Sequence, residues 1–536
     1  MSVKPQNNKK NRKKYPYTEN DAMYLKPKRR KGILRIFFSR AGITALMIGV
    51  QIWMLWWVYD YFRDYSEWFS VLMGIFSLLM IFHLFACDMD STAKLTWLII
   101  MMSAPVPGAM LLWFTENDVG HRAIKKRISE LIDETRHTLT QDVELLSRPD
   151  LTDSATDALC RYISNSGCFP IYEHTQVKYF PIGEKKFESL MREIKKAKKF
   201  IFMEYFIIDE GEMWGSILKI LAEKAKQGVD IRIMYDGMCE ISTLSSDYPH
   251  LLSALGIKCK PFSPIHPFLS THYNYRDHRK ILVIDGKVAY NGGVNLADEY
   301  VNLRSPHGHW KDTAVMLKGE AVQSFTLMFL QMWNLTEKEP KWDEFINQNI
   351  QRENDGYVMP FSDCPLDSYK VGENVYLDIL NRAKHYVYIM TPYLILDNEL
   401  ESALKYAAER GVDVRLILPG IPDKKIAYSL AKSYYKYLVE AGVKIYEYTP
   451  GFVHAKVFVS DGEKAVVGTI NLDYRSLYHH FECATYMYKT SCIADIEKDF
   501  ADTLSKCRRV TPETIKNEKI FYKLTGSVMR IAAPLM

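Results

Sequence analysis

Cysteine is sparse and unpaired in this chain. Nine cysteines are scattered from Cys87 to Cys507, with no Cys-x-x-Cys pair and no His/Cys cluster at zinc spacing. That pattern argues against a disulfide framework or a structural zinc site and leaves reduced core thiols. A glycine-rich phosphate loop of the P-loop type is also missing, so no metal or other cofactor is implied by motif. Acidic residues are scarce near the start. Between Met1 and Arg40, Lys and Arg recur (Lys9, Lys10, Arg12, Lys13, Lys14, Lys26, Lys28, Arg29, Arg30, Lys31, Arg35, Arg40), and only Glu19 and Asp21 oppose them. Residues 1–40 read as a solvated basic tail. Such a tail can also press on anionic lipid from the cytoplasmic side, at about 1 kcal/mol per basic residue near the surface.

The 536 residues are 48% hydrophobic and 25% charged, with a net charge of +5, a globular composition with room for about three domain-sized units. Three uncharged apolar stretches follow the tail within 41–115: Ala41–Tyr59, with Trp53, Trp56 and Trp57 at its far end, Trp68–Ala86, and Leu95–Phe114. Each approaches the ~20 residues a helix needs to cross a bilayer, and the tryptophans suit an interfacial belt. The first stretch is too long for a cleaved signal peptide. The basic tail and the run His121–Arg127 both favour the cytoplasmic side, which three full crossings cannot satisfy together. One stretch is therefore expected not to cross. Leu95–Phe114, broken at Pro105-Val106-Pro107-Gly108, is the candidate for a re-entrant or tilted hairpin. A multi-pass membrane protein with a cytoplasmic catalytic part is the resulting expectation.

From about Leu145 the pattern becomes α/β, and it occurs twice. Ala197–Tyr205 runs from a helix end into an apolar strand, a helix follows over Trp214–Gln227, and Gly228-Val229-Asp230-Ile231-Arg232 opens the next strand. Ala383–Ile389, Glu399–Arg410 and Gly411-Val412-Asp413-Val414-Arg415 repeat the sequence of events. Two pseudo-equivalent α/β halves, at 145–340 and 355–515, are predicted, with 516–536 as a C-terminal tail. Strands alternating with amphipathic helices predict mainly parallel sheets. The pocket is expected at the carboxyl ends of the strands, between the halves.

Each half carries His-x-Lys-x-x-x-x-Asp: His278, Lys280 and Asp285, then His454, Lys456 and Asp461. Small-residue turns ending in Asn295 and Asn471 follow the two copies. His and Lys two apart on a strand leave the same face. Asp285 and Asp461 complete the motif and are counted with its catalytic residues, although each precedes a glycine after the strand, where a turn residue is expected. A neutral imidazole attacks phosphorus near pH 7, and a second can protonate the leaving alkoxide and activate the next acceptor, at about 10²–10⁴-fold. Lys280 and Lys456 would neutralise phosphate oxygens, with Asn295 and Asn471 as neutral donors. Asp312 and Glu482, at similar offsets after the two motifs, are the carboxylates expected to orient the imidazoles. The chemistry is phosphodiester transfer or cleavage, and the apolar stretches favour a lipid over a nucleic acid as the diester.

With these residues the chain resembles the phospholipase D superfamily and, more closely, the bacterial cardiolipin synthases with two such motifs. The likeness runs through Glu204–Ile207, Arg276–Ile281, Gly292–Tyr300, Trp310–Thr313, Thr391–Tyr393, Asn471–Ser476 and Ala533–Met536. It implies two phospholipase D-like α/β halves forming one catalytic unit behind N-terminal transmembrane helices. It implies a phosphatidyltransferase: His278 takes the phosphatidyl group of one phosphatidylglycerol, and His454 protonates glycerol and then activates a second phosphatidylglycerol. Pseudo-symmetry leaves the two histidine roles interchangeable. A hydrolase or a transferase with another acceptor would carry the same motifs; a non-enzymatic scaffold would need neither. Tyr235–Glu240 departs from the family's Asp-Asp-x-Gly-Ser pattern.

Overall fold

The computed structural model describes residues 22–25, 67–117, 119–167, 169–264, 274–346, 354–531 and 533–535, with isolated positions between 49 and 61. The basic tail, apart from 22–25, and most of the stretch 41–59 lie outside these residues.

Glu67–Ala86 is a single helix whose mean hydropathy is 2.2 and whose apolar window is 17% buried. Among the described residues it is the one helix long and apolar enough to cross a membrane. The stretch 95–114, expected to break at Pro105-Val106-Pro107-Gly108, falls in two helices, Ser91–Ser103 and Pro105–Glu116, of 13 and 12 residues. Each is shorter than a bilayer requires. Pro105 disfavours the helical region for the residue before it, and Ala104 breaks the run at φ −148°, ψ 82°. Gly108 permits the close return, since a Cβ there would lie 2.8 Å from Met101 Cα. Leu84, Ala109 and Leu112 are fully buried and, with Met101 from Ser91–Ser103, form one core that holds the three helices together.

The first half forms a seven-stranded sheet and the second a larger one. In chain order the strands are β1 (Thr175–Phe180), β2 (Phe200–Tyr205), β3 (Asp230–Asp236), β4 (Lys258–Phe262), β5 (Arg276–Asp277), β6 (Lys280–Ile284), β7 (Val288–Gly292), β8 (His309–Lys311) and β9 (Ala314–Gly319). The second half contributes β10 (Tyr357–Asp363), β11 (Tyr386–Met390), β12 (Asp413–Pro419), β13 (Lys444–Tyr448), β14 (Gly451–Val453), β15 (Val457–Ser460), β16 (Lys464–Gly468), β17 (His480–Tyr488) and β18 (Cys507–Arg509). The orders β1-β9-β7-β6-β2-β3-β4 and β10-β17-β16-β15-β11-β12-β13 match position by position, with β18 added at the second edge.

The expectation of mainly parallel sheets is corrected. Among the described residues, the parallel runs along the two strand orders are β2-β3-β4 and β11-β12-β13, and the other pairings along those orders are antiparallel. The cause is local: after the motif strand the chain turns straight back, at Asp285-Gly286 and Asp461-Gly462. These four residues have φ of +52°, +65°, +55° and +67°, as tight hairpins need. Within each half, the successive strands joined through helices return in parallel.

Three cores hold the catalytic part. One lies under the outer helices of the first half, around Trp214, Ile217 and Ile233. Another lies under those of the second, around Tyr376, Leu404 and Leu430. Between the sheets sits a shared core, with Phe202 and Val283 from one half and Val457 and Val459 from the other. The helix Val322–Trp333, buried through nearly its whole length, runs through it. Residues 516–536, expected as a tail, instead carry a helix, Ile520–Ile531, packed on the helix Lys425–Glu440.

Candidate active site

The two motifs meet because each half lends a strand to the other. β5, immediately before His278, pairs in parallel with the start of β17, Arg276 opposite His480. β14, immediately before His454, pairs in parallel with β8, Gly451 opposite His309. The His278 amide donates to Phe481 O at 2.9 Å, and the His454 amide to Lys311 O at 2.7 Å. Each histidine amide thereby bonds to the residue just before a carboxylate, Phe481 before Glu482 and Lys311 before Asp312. The register closes the site at the seam, at the carboxyl ends of the parallel strands: Lys280 lies opposite Tyr205 at the end of β2, and Val457 opposite Met390 at the end of β11.

The carboxylate partners are therefore crossed between the halves. His278 Nδ1 lies 2.8 Å and 2.9 Å from the two Glu482 oxygens. His454 Nδ1 lies 2.6 Å from Asp312 Oδ2. Both carboxylates are fully buried, and each histidine is 6% exposed. A carboxylate on Nδ1 fixes the proton there and leaves Nε2 with its lone pair. Burial pulls the His278 ring well below the usual imidazole range, against the opposing pull of Glu482. Burial and then Lys456 bring His454 down to about 4. Both rings are thus neutral near pH 7. Burial alone would raise Glu482, but His278 holds it well below the ordinary carboxylate range. Thr469 Oγ1 donates to it as well.

Lys280 and Lys456 are nearly fully buried, and each donates its Nζ to the carbonyl of its own motif histidine. Burial lowers them to about 8 and about 7. An arriving phosphate anion would favour their charged forms. Asn295 is held from two sides: it accepts from Ile207 N at 3.1 Å and donates to Tyr300 Oη at 2.8 Å. Asn471 is 4% exposed and its Oδ1 has no protein hydrogen-bond partner. The two asparagines, alike in sequence, are thus held differently.

Asp285 and Asp461 do not face this seam. Asp285 accepts from the amides of Lys198, Lys199 and Phe200 at 2.7–2.9 Å. Asp461 accepts from Lys384, His385 and Tyr386 over the same range. Counting them with the catalytic groups is corrected: each carboxylate clamps the start of a neighbouring strand from a hairpin tip. Asp285→Ala is expected to cost about 2–4 kcal/mol of stability through three charge-assisted hydrogen bonds. Turnover per folded molecule should change little. Thermal unfolding read beside activity checks this; a large loss of turnover at unchanged stability would return the residue to the chemistry.

Three groups have no clear sequence signal or only a weak one. His480 packs against His278 with ring centroids 5.1 Å apart and the planes tilted by 37°, and its Nδ1 lies 3.4 Å from Glu482. Its only cue was its place two residues before Glu482. His278, His480 and Glu482 bring one ligand atom each within 4.8 Å of one another, a spacing that could also hold a cation. Lys186, from a helix far upstream, donates to Val294 O at 3.2 Å and is lowered by burial to about 7. A charged chain flanks the first motif only. Arg279 lies 2.5 Å from Glu204 and 3.3 Å from Asp277, and the Asp277 amide donates to Asp236 at 3.0 Å. The second motif is flanked instead by Phe452, Val453 and Ala455, all buried. Asp236 belongs to the Tyr235–Glu240 segment that departs from the family pattern, and it braces the first motif from behind.

Comparison with known proteins agrees with this geometry. The family model described as "Cardiolipin synthase, PLD-like domain" matches residues 190–333 and 376–504. A cardiolipin synthase of Geobacillus kaustophilus is 34% identical over 93% of this chain and 99% of its own length. An uncharacterized protein of Streptococcus mutans is 57% identical over 85% of this chain and 99% of its own. The fold is also that of a phosphatidylserine synthase from Haemophilus influenzae, with a TM-score of 0.53 at 16% identity, covering 70% of this chain and 98% of that one. With two motif copies converging on one buried seam, and with relatives at this identity along nearly its whole length, the chain belongs to the cardiolipin synthase family of phospholipase D-like enzymes.

Proposed function

We propose that this protein makes cardiolipin from two molecules of phosphatidylglycerol by phosphatidyl transfer through a histidine. The observation that carries the reading is the crossed pair, His278–Glu482 and His454–Asp312, which gives two neutral imidazoles with Nδ1 occupied and Nε2 free. In the first step His278 Nε2 attacks phosphorus. A P–N bond forms and the P–O bond to glycerol breaks. The bound phosphate anion and Asp312 favour the imidazolium form of His454, and that form gives its Nε2 proton to the leaving glycerol oxygen. In the second step neutral His454 takes the proton of a hydroxyl on a second phosphatidylglycerol. That oxygen bonds to phosphorus, the P–N bond breaks, and both histidines return to their starting states. Lys280 and Lys456 hold the phosphate oxygens, with Asn295 and Asn471 beside them, where charge on those oxygens builds in the transition state.

The apolar helices support a membrane-held substrate. The Lys- and Arg-rich flanks at 1–40 and at His121–Arg127 support a multi-pass arrangement with the catalytic part cytoplasmic. The test is purified protein with labelled phosphatidylglycerol, followed by lipid separation. Cardiolipin and glycerol are the expected products. Phosphatidic acid as the sole lipid product would replace the synthase with a hydrolase, and a mixed product with another head group would replace the acceptor.

A further inference from the structure

The helix Ile520–Ile531 has two unlike faces. One is docked: Gly526 is buried, and a Cβ there would lie 2.4 Å from Ser429 O, so the helix sits tight on Lys425–Glu440. Tyr522 meets Tyr428 edge-on, and Arg530 pairs with Glu401. The other face is bare. Ile520, Phe521, Leu524, Val528 and Ile531 are 74%, 63%, 63%, 65% and 51% exposed. At helical spacing these five fall within a ~100° arc, the width of a full apolar stripe. Lys516, Lys519 and Lys523 stand exposed along the same segment.

This face continues into the apolar N-terminal helices. Thr96 Oγ1, on the helix Ser91–Ser103, donates to Ile531 O at 2.7 Å across 435 residues of sequence. The same helix leaves Leu95, Ile99 and Met102 exposed. Its cap, Asp90, accepts from Tyr474 Oη at 3.4 Å, in the segment just after Asn471. Past the C-terminal helix, Ala533 is buried in the second core, and Pro534 O lies 3.4 Å from His479 Nε2, beside His480. The bare stripe, the apolar helices and the catalytic seam are therefore joined by direct contacts.

We propose that Ile520–Ile531 is an interfacial helix that lies in the plane of an anionic bilayer, apolar stripe in the acyl boundary and lysines at the headgroups. A helix of this composition, with Lys on the polar flank and Phe and Leu on the other, partitions in this way. Its function is to seat the seam at the lipid surface, so that a phospholipid headgroup reaches His278 and His454 while its chains stay in the membrane. This rests on the reading of the substrate as phospholipid.

The test is site-directed photo-crosslinking of the full-length protein in vesicles of phosphatidylglycerol and a neutral lipid with labelled acyl chains. A benzophenone side chain replaces Leu524 or Val528, with Phe82 on the helix Glu67–Ala86 as the lipid-facing reference and the exposed Lys498 as the water-facing one. Labelled lipid adducts at 524 and 528 comparable to those at 82, and none at 498, are expected. Adducts at 82 alone would overturn the proposal. So would adducts at 524 and 528 to a second copy of the chain. Turnover is not the readout, so failure of the phosphatidyl-transfer reading would leave the adduct pattern unchanged.

Discussion

His278→Ala and His454→Ala should each abolish cardiolipin formation, by at least about 10³-fold, because each removes a group that forms or breaks a bond in both half-reactions. The double variant should be no worse than either single one, since a nucleophile and its proton partner act as a unit. The buried setting sharpens this. Each ring is enclosed by protein and sits on a fully buried carboxylate, so no bulk water stands ready to replace the lost base. The measurement is initial rate from labelled phosphatidylglycerol in mixed micelles, with folding checked by thermal unfolding. Near-native turnover from either variant would sink the two-histidine mechanism. The charged chain Glu204–Arg279–Asp277–Asp236 backs only His278. Trapping the phosphatidyl group by rapid quench into denaturant at neutral to mildly alkaline pH, where a P–N bond to histidine survives, and mapping its position resolves which histidine carries it.

Glu482→Gln and Asp312→Asn should each lower turnover by about 10³–10⁴-fold, because an amide can hold the ring in the wrong tautomer with its lone pair turned to Nδ1. The geometry is specific about which ring each variant disturbs. Glu482→Gln should move the ring-nitrogen resonances of His278, 2.8 Å away, and leave those of His454. Asp312→Asn should do the reverse, acting on His454 at 2.6 Å. Spectra of the protein labelled at histidine nitrogen distinguish the cases. If each variant perturbs the histidine of its own half instead, the crossed arrangement is wrong. His480, which also approaches Glu482, should respond to Glu482→Gln.

Much of the site was legible because its residues are local to strands. His-x-Lys on a motif strand fixes two side chains on one face whatever else the chain does, and the Asp-Gly pairs announced hairpins from their own backbone preferences. Those turns also foretold that Asp285 and Asp461 would brace backbone rather than react. The same hairpins make the sheets mixed instead of mainly parallel. Helices between strands signal parallel return only for the segments they join, and the motif strand is followed by a turn.

The sequence by itself determined the doubled α/β unit, the two His-Lys pairs and the apolar character of the N-terminal region, and it offered Asp312 and Glu482 as candidate carboxylates, because composition, period and turn chemistry are properties of neighbours in the chain. Only the tertiary structure decided which carboxylate serves which histidine. That pairing depends on β5 joining β17 and β14 joining β8, contacts made between residues some 140–200 positions apart. Tertiary packing also decided that the C-terminal segment is a docked helix with one bare apolar face. Gly526 has to meet Ser429, and Thr96 has to reach Ile531, before the stripe has a place in the molecule.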